Sequence, residues 1–330
     1  MHPTRPRQRL PGRAALPALA LLVAAATAAT VHAAPFAYIT NQGDHSLSVV
    51  DLATQQVRTT IPVAKSPAGV VAVGRVGKVF VTAPGDNAVS VVDMASERVI
   101  ATLPAGAGAV GIDAAADGAR VYVADWYGGH LLGFDTTSHR EVLRVPIGQA
   151  PAGVAVAPDG KTVFVAERDD DTVAVVDVAS ARVAKRIAVG HHPFALLIDA
   201  PRQRLYALNV LSDDVSVIDL ASARVVATVK VGKAPYGAAL ADHGRRLYIA
   251  NQHADSVSVI DPATLAVVQT LGGFGYPEGV AAAGERVLVV NWMDDTVAVL
   301  DAASGRLLHS IATGRNPRGF GAFIGEPVPK

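Results

Sequence analysis

The sequence repeats itself about every 42 residues, and this repetition restricts the fold more than any other feature. The stretch NWMDDTVAVLDAASGRLL (Asn291 to Leu308) has close copies in NQHADSVSVIDPATLAVV, NVLSDDVSVIDLASARVV and ERDDDTVAVVDVASARVA. The aspartate that ends each valine-rich run recurs seven times, spaced by 42 residues five times and then by 40, at Asp51, Asp93, Asp135, Asp177, Asp219, Asp261 and Asp301. A period of this length is typical of solenoids and propellers.

One copy of the repeat, from Pro151 to Gly190, contains four short runs of strand-forming residues: PAGVAVAP, TVFVAE, TVAVVD and RVAKRIAVG. The Asp159–Gly160 pair between the first two runs is typical of a hairpin turn. The run VAVV is apolar on both faces of the pleat, which is expected for a sheet that is covered on both sides. Seven copies of four strands predict an all-β fold, a seven-bladed β-propeller with four antiparallel strands per blade.

An aspartate and a serine or threonine follow the third run in most copies, as Asp177 and Ser180 do. Their side chains can accept hydrogen bonds from the amides of a tight turn. Because a catalytic acid is not needed seven times, we interpret this pair as structural.

The two ends of the chain predict how the ring closes. The first strand, FAYITN, aligns with the second strand of a unit, whereas the final NPRGFGAFIG aligns with the first strand. We therefore expect the C-terminal strand, residues 317 to 324, to complete the first blade as its innermost strand, beside three strands from residues 36 to 63. Such closure removes open sheet edges.

Residues 1–33 differ in composition from the repeats. The segment MHPTRPRQRLPGR has four arginines and no acidic residue, an alanine-rich apolar run follows, and the segment VHAAP then offers small residues at a cleavage site. This pattern predicts a Sec-type signal peptide cleaved near Ala33, so that residues 34–330 form one propeller domain in the periplasm or outside the cell. The apolar run is short for a membrane span, and we expect no span after cleavage.

Charge and cysteine content restrict the function further. Removal of residues 1–33 leaves 25 basic and 29 acidic residues, a net charge of about −4 (25 − 29). A mildly acidic protein lacks the basic surface that binds nucleic acid, which makes nucleic acid an unfavoured partner. With no cysteine, the chain has neither disulfides nor thiolate metal ligands. We predict a monomer that is stabilised by packing alone.

The repeats RLYIANQ, KVFVTAP and RLYALNV, with the VSVID-like runs that follow them, resemble the YVTN-type repeat of YncE-like seven-bladed β-propellers. The resemblance covers nearly all of residues 34–330. It implies the propeller fold but not one activity, because similar propellers serve as subunits and as enzymes with different roles.

In a propeller, the loops that join strand two to strand three and strand four to the next strand one share one face, here called the mouth face; the other loops form the underside. The underside loops are uniform, whereas the mouth-face loops carry most of the aromatic and charged residues. Groups of this kind around a concave opening are typical of a binding site. We predict a ligand-binding site formed by Trp126, Tyr127, Arg168, His192, Phe194, Tyr236, His253, Tyr276, Glu278, Trp292 and Arg318.

Other roles for these residues stay open from the sequence. The tryptophans alternatively plug the channel or cover their own blades. The pair His191 and His192 suggests a metal site, but neighbours on an extended segment point in opposite directions, and the remaining ligands would come from His253, Glu278 or Glu167 across the ring. We predict no metal, no cofactor and no assigned catalytic residue.

These observations favour a binding or scaffold protein that presents the mouth face to a protein or a small polar ligand. Two alternatives remain. A metal-dependent lactonase-like or lyase-like enzyme would use Glu278, His192, His253 and Arg318 at the channel mouth. The other is a propeller subunit of a periplasmic oxidoreductase, a role that similar propellers have, and in that case the redox cofactor would belong to a partner chain.

Overall fold

The computed structural model describes residues 1–4 and 35–325, and residues 35–325 form a seven-bladed β-propeller. The predicted signal peptide, residues 1–33, lies outside the described residues except for residues 1–4, so its cleavage stays a prediction. Within the described part of the chain, no helix has the length and apolar character needed to cross a membrane.

Each blade is an antiparallel sheet, and in blades two to seven the four strands follow one another in sequence from the channel outwards. Blade one contains β1 (Phe36–Asn41), β2 (Ser46–Asp51) and β3 (Gln56–Pro62). Blade two contains β4 (Val70–Val73), β5 (Lys78–Ala83), β6 (Ala88–Asp93) and β7 (Arg98–Pro104), and blade three contains β8 (Ala109–Ala114), β9 (Arg120–Asp125), β10 (His130–Asp135) and β11 (Glu141–Pro146). Blade four contains β12 (Pro151–Val156), β13 (Thr162–Glu167), β14 (Thr172–Asp177) and β15 (Arg182–Ala188).

The remaining blades have the same four-strand plan. Blade five contains β16 (Pro193–Asp199), β17 (Arg204–Asn209), β18 (Asp214–Asp219) and β19 (Arg224–Lys230). Blade six contains β20 (Pro235–Ala241), β21 (Arg246–Asn251), β22 (Ser256–Asp261) and β23 (Ala266–Gly272). Blade seven contains β24 (Pro277–Ala283), β25 (Arg286–Asn291), β26 (Thr296–Asp301) and β27 (Leu307–Ala312). The predicted fold class is therefore confirmed.

Burial changes from the middle of each blade to its outer edge. The second and third strands, such as β17 and β18, are buried at nearly every position because neighbouring blades cover both of their faces. The fourth strand, such as β19, alternates between covered and exposed residues. The valine runs without polar alternation thus belong to strands that lie between two sheets, as the sequence predicted.

A β-bulge recurs between the third and fourth strands of all seven blades. In blade four the register shifts between Val175 and Val176, and the same shift occurs at Val217 and Ile218 in blade five. A bulge increases the local right-handed twist of a strand pair. Its repetition at the same place gives the outer strands of successive blades the same twist.

The aspartate and serine after the third strand close the turn to the fourth strand. The Asp177 carboxylate accepts hydrogen bonds from the N–H of Ser180 at 2.7 Å and from its hydroxyl at 2.5 Å. The hydroxyl and N–H of Ser180 hold the pKa of this carboxyl below its usual range. The corresponding pair is present in four other blades, so the structural interpretation is confirmed.

Glycine at the third position of the inner strands allows neighbouring blades to approach closely. A side chain at Gly111 would collide with the carbonyl oxygen of Ala152, and one at Gly237 would collide with that of Glu278. Because backbone atoms cannot move away as a flexible side chain can, these positions require glycine. The glycine that six of the seven blades have at this position therefore sets the distance between inner strands around the channel.

The C-terminal segment closes the ring as predicted, but it forms two short strands with a crossing segment between them. Strands β28 (Pro317–Arg318) and β29 (Ile324–Gly325) both pair with β1. Between them, the carbonyls of Phe320 and Ala322 each accept a hydrogen bond at 2.9 Å from an N–H of blade two. The closing segment therefore joins blades one and two, and Phe323 lies fully buried in the core that they share with blade seven.

Deletion of the last twelve residues, 319–330, should open the ring. The truncation removes β29 and the buried Phe323 ring, and the loss of one such aromatic side chain from a core costs about 3–5 kcal/mol. We expect the free energy of unfolding in urea to fall by at least that amount. A control chain that ends at Gly325 keeps both closing strands and should match the full-length protein; equal stability of all three chains would contradict this closure.

Candidate functional site

The mouth-face loops are held together by a side-chain brace that repeats between blades. The aspartate that ends one loop accepts a hydrogen bond from the N–H just before the next inner strand: Asp171 from His192 at 2.8 Å, and Asp255 from Tyr276 at 3.0 Å. The N–H of His192 is the main cause that holds the pKa of Asp171 below its usual range. These braces place the aromatic side chains on a rigid base.

Two predicted site residues, His192 and Tyr276, lie in the left-handed region of the backbone, with φ of 53° and 55°. Such strain is often found at functional sites. Here the equivalent residues of other blades, including Ala150 and Ala234, have the same conformation at φ of 48° and 54°. The left-handed turn is therefore part of the repeat and is not specific to the site.

An aromatic cluster closes the channel at the mouth face. The rings of Phe194 and Tyr236 stack with centroids 4.1 Å apart. Phe320 lies 4.8 Å from Phe194 on one side, and Trp126 lies 6.2 Å from it on the other. Val110 packs against the same cluster from the opposite wall of the channel. These side chains form a plug, which agrees with one of the roles that the sequence left open for Trp126.

The plug is uneven because the second residue of the inner strand differs between blades. Blades five, six, seven and one have large side chains there, whereas blades two, three and four have small ones. In order, these residues are Phe194, Tyr236, Glu278 and Arg318, then Ala68, Val110 and Ala152. The large side chains of one half of the ring thus cover the small residues of the other half.

A charged pair is buried beside the aromatic plug. The Glu278 side chain is 1% exposed, and its Oε2 lies 3.2 Å from Nε of Arg318. Gln252 donates a hydrogen bond of 2.8 Å to the other oxygen, Oε1. The alignment of Oε2 and Nε does not meet hydrogen-bond geometry, so the two atoms attract each other mainly as charges.

Burial alters the acidity of this group. It raises the pKa of Glu278 to about 7, although Arg318 and then Gln252 act in the opposite direction. Burial, followed by the charge of Glu278, also raises the pKa of the Tyr236 hydroxyl, which therefore stays protonated. At neutral pH both the charged and the protonated form of the Glu278 carboxyl group are therefore populated.

A second cluster lies nearer the rim on blades six, seven and one. The Tyr276 ring lies between His253 and Trp292, with centroids 5.4 and 5.5 Å away. The Tyr276 hydroxyl is also within 3.0 Å of Nε2 of His253. Trp292 donates a long hydrogen bond of 3.4 Å to Gln42. The structure therefore brings together three more of the predicted residues, but as a group separate from the plug.

The three other predicted residues lie apart from these clusters or touch them at the edge. Arg168 places its guanidinium 5.4 Å from the centre of the Trp126 ring. Tyr127 is 78% exposed and faces outwards. His192 contributes its backbone to the Asp171 brace, and its buried Nδ1 has no hydrogen-bond partner in the described structure. The predicted residues share one face but do not form one pocket.

Some residues that contribute to this face were not among the predicted ligand-binding residues. Phe320 belongs to the plug. Gln252 donates a hydrogen bond to Glu278. The sequence could have indicated Gln252, because it occupies the loop position of Trp126 and Trp292. Leu211 is 61% exposed and Met293 is 63% exposed at the loop position of Tyr127. These exposed apolar side chains give the rim its hydrophobic character.

The metal ligands that the enzyme hypothesis requires do not come together. Among the described residues, no three His, Cys, Asp or Glu side chains lie close enough to hold a metal ion. Glu278 is engaged by Gln252 and Arg318, and His253 is engaged by Tyr276. The geometry of the mouth face thus suits packing and electrostatic contact better than metal chemistry.

Comparison with known proteins identifies the repeat and the fold. A family model described as YNCE-like beta-propeller matches residues 34–160 and 154–240. No curated protein matches the sequence. Similar solved structures include a chain of Kuenenia stuttgartiensis hydrazine synthase, with 21% identity, a TM-score of 0.71, and coverage of 83% of this chain and 97% of that chain.

Two further solved structures have the same fold. A functionally unknown protein from Desulfotomaculum acetoxidans DSM 771 has 13% identity and a TM-score of 0.75, covering 89% of this chain and 99% of that one. The dihydro-heme d1 dehydrogenase NirN, in complex with DHE, has 15% identity and a TM-score of 0.67, covering 87% and 74%. At these identities, the similarity to the three structures shows the fold alone.

The raised pKa of Glu278 predicts how stability depends on pH. Between about 4.5 and about 7 the folded protein keeps a proton that the unfolded chain has released, so the free energy of unfolding falls as pH rises. Glu278→Gln removes this titration. The test measures the free energy of unfolding in urea for both proteins. From about pH 5 to about pH 8, the value of the variant minus that of the wild type should rise by on the order of 2–3 kcal/mol.

The comparison isolates Glu278 because Asp113, whose pKa is raised to about 6 by burial, titrates in the same range in both proteins. If the free energies of unfolding of the variant and the wild type change with pH in parallel, then Glu278 has an ordinary pKa in the folded protein and the prediction is wrong.

Proposed function

The chain belongs to the YNCE-like β-propeller family, and on that premise we propose that it is a periplasmic binding or scaffold protein that docks a partner protein on its mouth face. The family fold does not itself decide the function. The observation that carries the proposal is the contrast between the faces. The mouth face gathers two aromatic clusters and a buried charged pair, whereas the underside repeats one Asp–Ser turn from blade to blade.

The rim of the mouth face supports a protein partner. Tyr127, Leu211 and Met293 occupy the same position in the loops of blades three, five and seven, and each is more than 60% exposed. Aromatic residues and methionine are enriched at protein interfaces, and loops fixed on a rigid scaffold commonly carry binding residues. Three such side chains on separate blades suit a broad surface that contacts several loops at once.

The centre of the face favours a protein over a small polar ligand. Phe194 and Phe320 are each less than 10% exposed, so the plug fills the place that a small molecule would occupy. Ligand pockets for small molecules are concave and bury most of the ligand. A filled centre with exposed residues around it instead resembles a platform on which a larger surface rests.

A propeller subunit of an oxidoreductase is a particular form of this proposal. It is supported by the coverage of 97% of a chain of hydrazine synthase, and by the similar fold of the dihydro-heme d1 dehydrogenase NirN. In such an assembly the redox cofactor would belong to the partner chain, and the mouth face of this chain would bind that partner.

The periplasmic location rests on the composition of residues 1–33. Export through the Sec route should remove these residues. We expect N-terminal sequencing of the protein from a periplasmic fraction of its native host to begin at Ala34. Full-length protein in the cytoplasmic fraction would contradict this location.

Docking is tested by a double substitution on the mouth face, Tyr127→Ser with Met293→Ser. The matched control is Val226→Ser with Leu307→Ser, which changes apolar residues of 58% and 55% exposure on the outer strands β19 and β27. A partner that co-purifies with the wild-type protein from its native host should be identified and produced separately. By calorimetry, we expect the mouth-face variant to bind it at least about tenfold more weakly, a loss of about 1.4 kcal/mol.

The two tryptophans supply a second readout, since both lie on the mouth face and no other tryptophan is present. Binding of the partner should change the tryptophan emission of the wild type and of the outer-strand control. The proposal fails if the mouth-face variant keeps full affinity, or if only the outer-strand variant loses it.

A further inference from the structure

Below the aromatic plug, the central channel contains a cavity of about 410 Å³ lined by the inner strands. At the mouth end, Phe194 and Phe320 close it. Towards the underside, Ala114, Ile198 and Leu240 are partly exposed and Ala322 is exposed. The cavity therefore opens at the underside, on the opposite side of the plug from the proposed docking surface.

Among the described residues that line this cavity, Asp113 has the only polar side chain; the other side chains are apolar, and the remaining polar surface of the wall comes from backbone groups. Asp113 occupies the fifth position of the inner strand of blade three. The equivalent residues of the other blades carry no polar side chain: Val71, Ala155, Leu197, Ala239, Ala281 and Gly321. The repeat does not require an acid at this position, because six blades fold without one.

The Asp113 carboxylate is held in place and keeps unused hydrogen-bonding capacity. Its Oδ2 accepts a 2.8 Å hydrogen bond from the N–H of Val156 in blade four, and its Oδ1 accepts one of 2.8 Å from the N–H of Ala114. A carboxylate can accept about four hydrogen bonds, so about two remain available. The side chain is half-buried, and the cavity it lines gives a ligand access to it.

Among the residues that the structure describes, no cationic side chain lines the cavity near this carboxylate. Burial raises the pKa of Asp113 to about 6, so the group is mainly ionised at neutral pH. An ionised carboxylate in apolar surroundings is stabilised by an opposite charge. The cavity thus offers a negative charge on a hydrophobic wall.

This combination restricts the class of ligand. A hard cation such as Ca²⁺ needs six to eight oxygen ligands, whereas among the described lining residues Asp113 supplies the only carboxylate and the other polar surface comes from backbone groups. No group of three acidic or histidine side chains in the described part of the chain lies close enough to hold a metal ion. A neutral apolar molecule would leave the charge unpaired. An organic ammonium ion with an alkyl or aryl body satisfies both the carboxylate and the wall.

We propose that the channel is a binding site for a small organic ammonium ion, whose charged nitrogen hydrogen-bonds to Asp113 and whose apolar body lies against the inner strands. The volume is within the range of small-molecule sites in proteins. This site is independent of the mouth face, because the plug of Phe194, Tyr236 and Phe320 separates the two.

The test compares n-hexylammonium with n-hexanol, which has the same alkyl chain but no charge, by calorimetry with the full-length protein. We expect the ammonium ion to bind at least about tenfold more tightly than the alcohol, since hydrogen bonds to a charged group are among the stronger ones. Asp113→Asn keeps the shape and one acceptor, and it should reduce the ammonium affinity to that of the alcohol.

A second variant, Leu197→Trp, places a bulky side chain in the cavity without touching the carboxylate, and it should abolish binding of both compounds. Glu278→Gln on the other side of the plug should leave both affinities unchanged. Thermal unfolding confirms that each variant is folded. Equal affinity of wild type and Asp113→Asn for hexylammonium, unchanged binding in Leu197→Trp, or no binding to the wild type would each overturn the proposal.

Discussion

The close approach of the seven inner strands around the channel is the constraint on which the rest of the structure depends. Each inner strand places backbone against the backbone of its neighbour, and at Gly111 and Gly237 there is no room for a side chain. Strands at this distance form a narrow channel whose end a few side chains can fill. A wider ring would separate Phe194, Tyr236 and Phe320, which here lie in contact.

The site follows from this geometry and from where the repeats differ. Because the inner strands begin at the mouth face, their second residues meet over the channel, and four consecutive blades place Phe194, Tyr236, Glu278 and Arg318 there. The plug then divides the molecule into a mouth face with exposed loop residues and a channel that opens to the underside. The fold thus provides two separate surfaces, and we propose that one binds a protein and the other a small cation.

The sequence predicted the fold well because the repeat carries redundant information. Seven copies show the strands, the Asp–Ser turns and the incomplete first blade, and these predictions are confirmed. The division of the closing strand was not predictable, because the backbone contacts of Phe320 and Ala322 with blade two depend on the distance between blades. No pattern within one repeat encodes that distance.

The candidate site was less predictable, for a physical reason. Topology assigns a residue to a face, but the direction of its side chain depends on local packing: Tyr127 faces outwards, whereas Trp126 beside it packs towards the channel. Asp113 was visible as the one acid at its strand position, yet only the structure shows that it lines a cavity. Ligand binding by the predicted residues stays a prediction.

Oxidative footprinting of the protein in intact cells of its native host tests most directly whether the mouth face is the docking surface. Tyr127 and Met293 report on that face, and the exposed His243 reports on the underside. We predict that Tyr127 and Met293 are oxidised more slowly in the cell than in the purified protein, while His243 is oxidised at the same rate in both. Protection of His243 with unchanged oxidation of Tyr127 and Met293 would contradict docking on the mouth face.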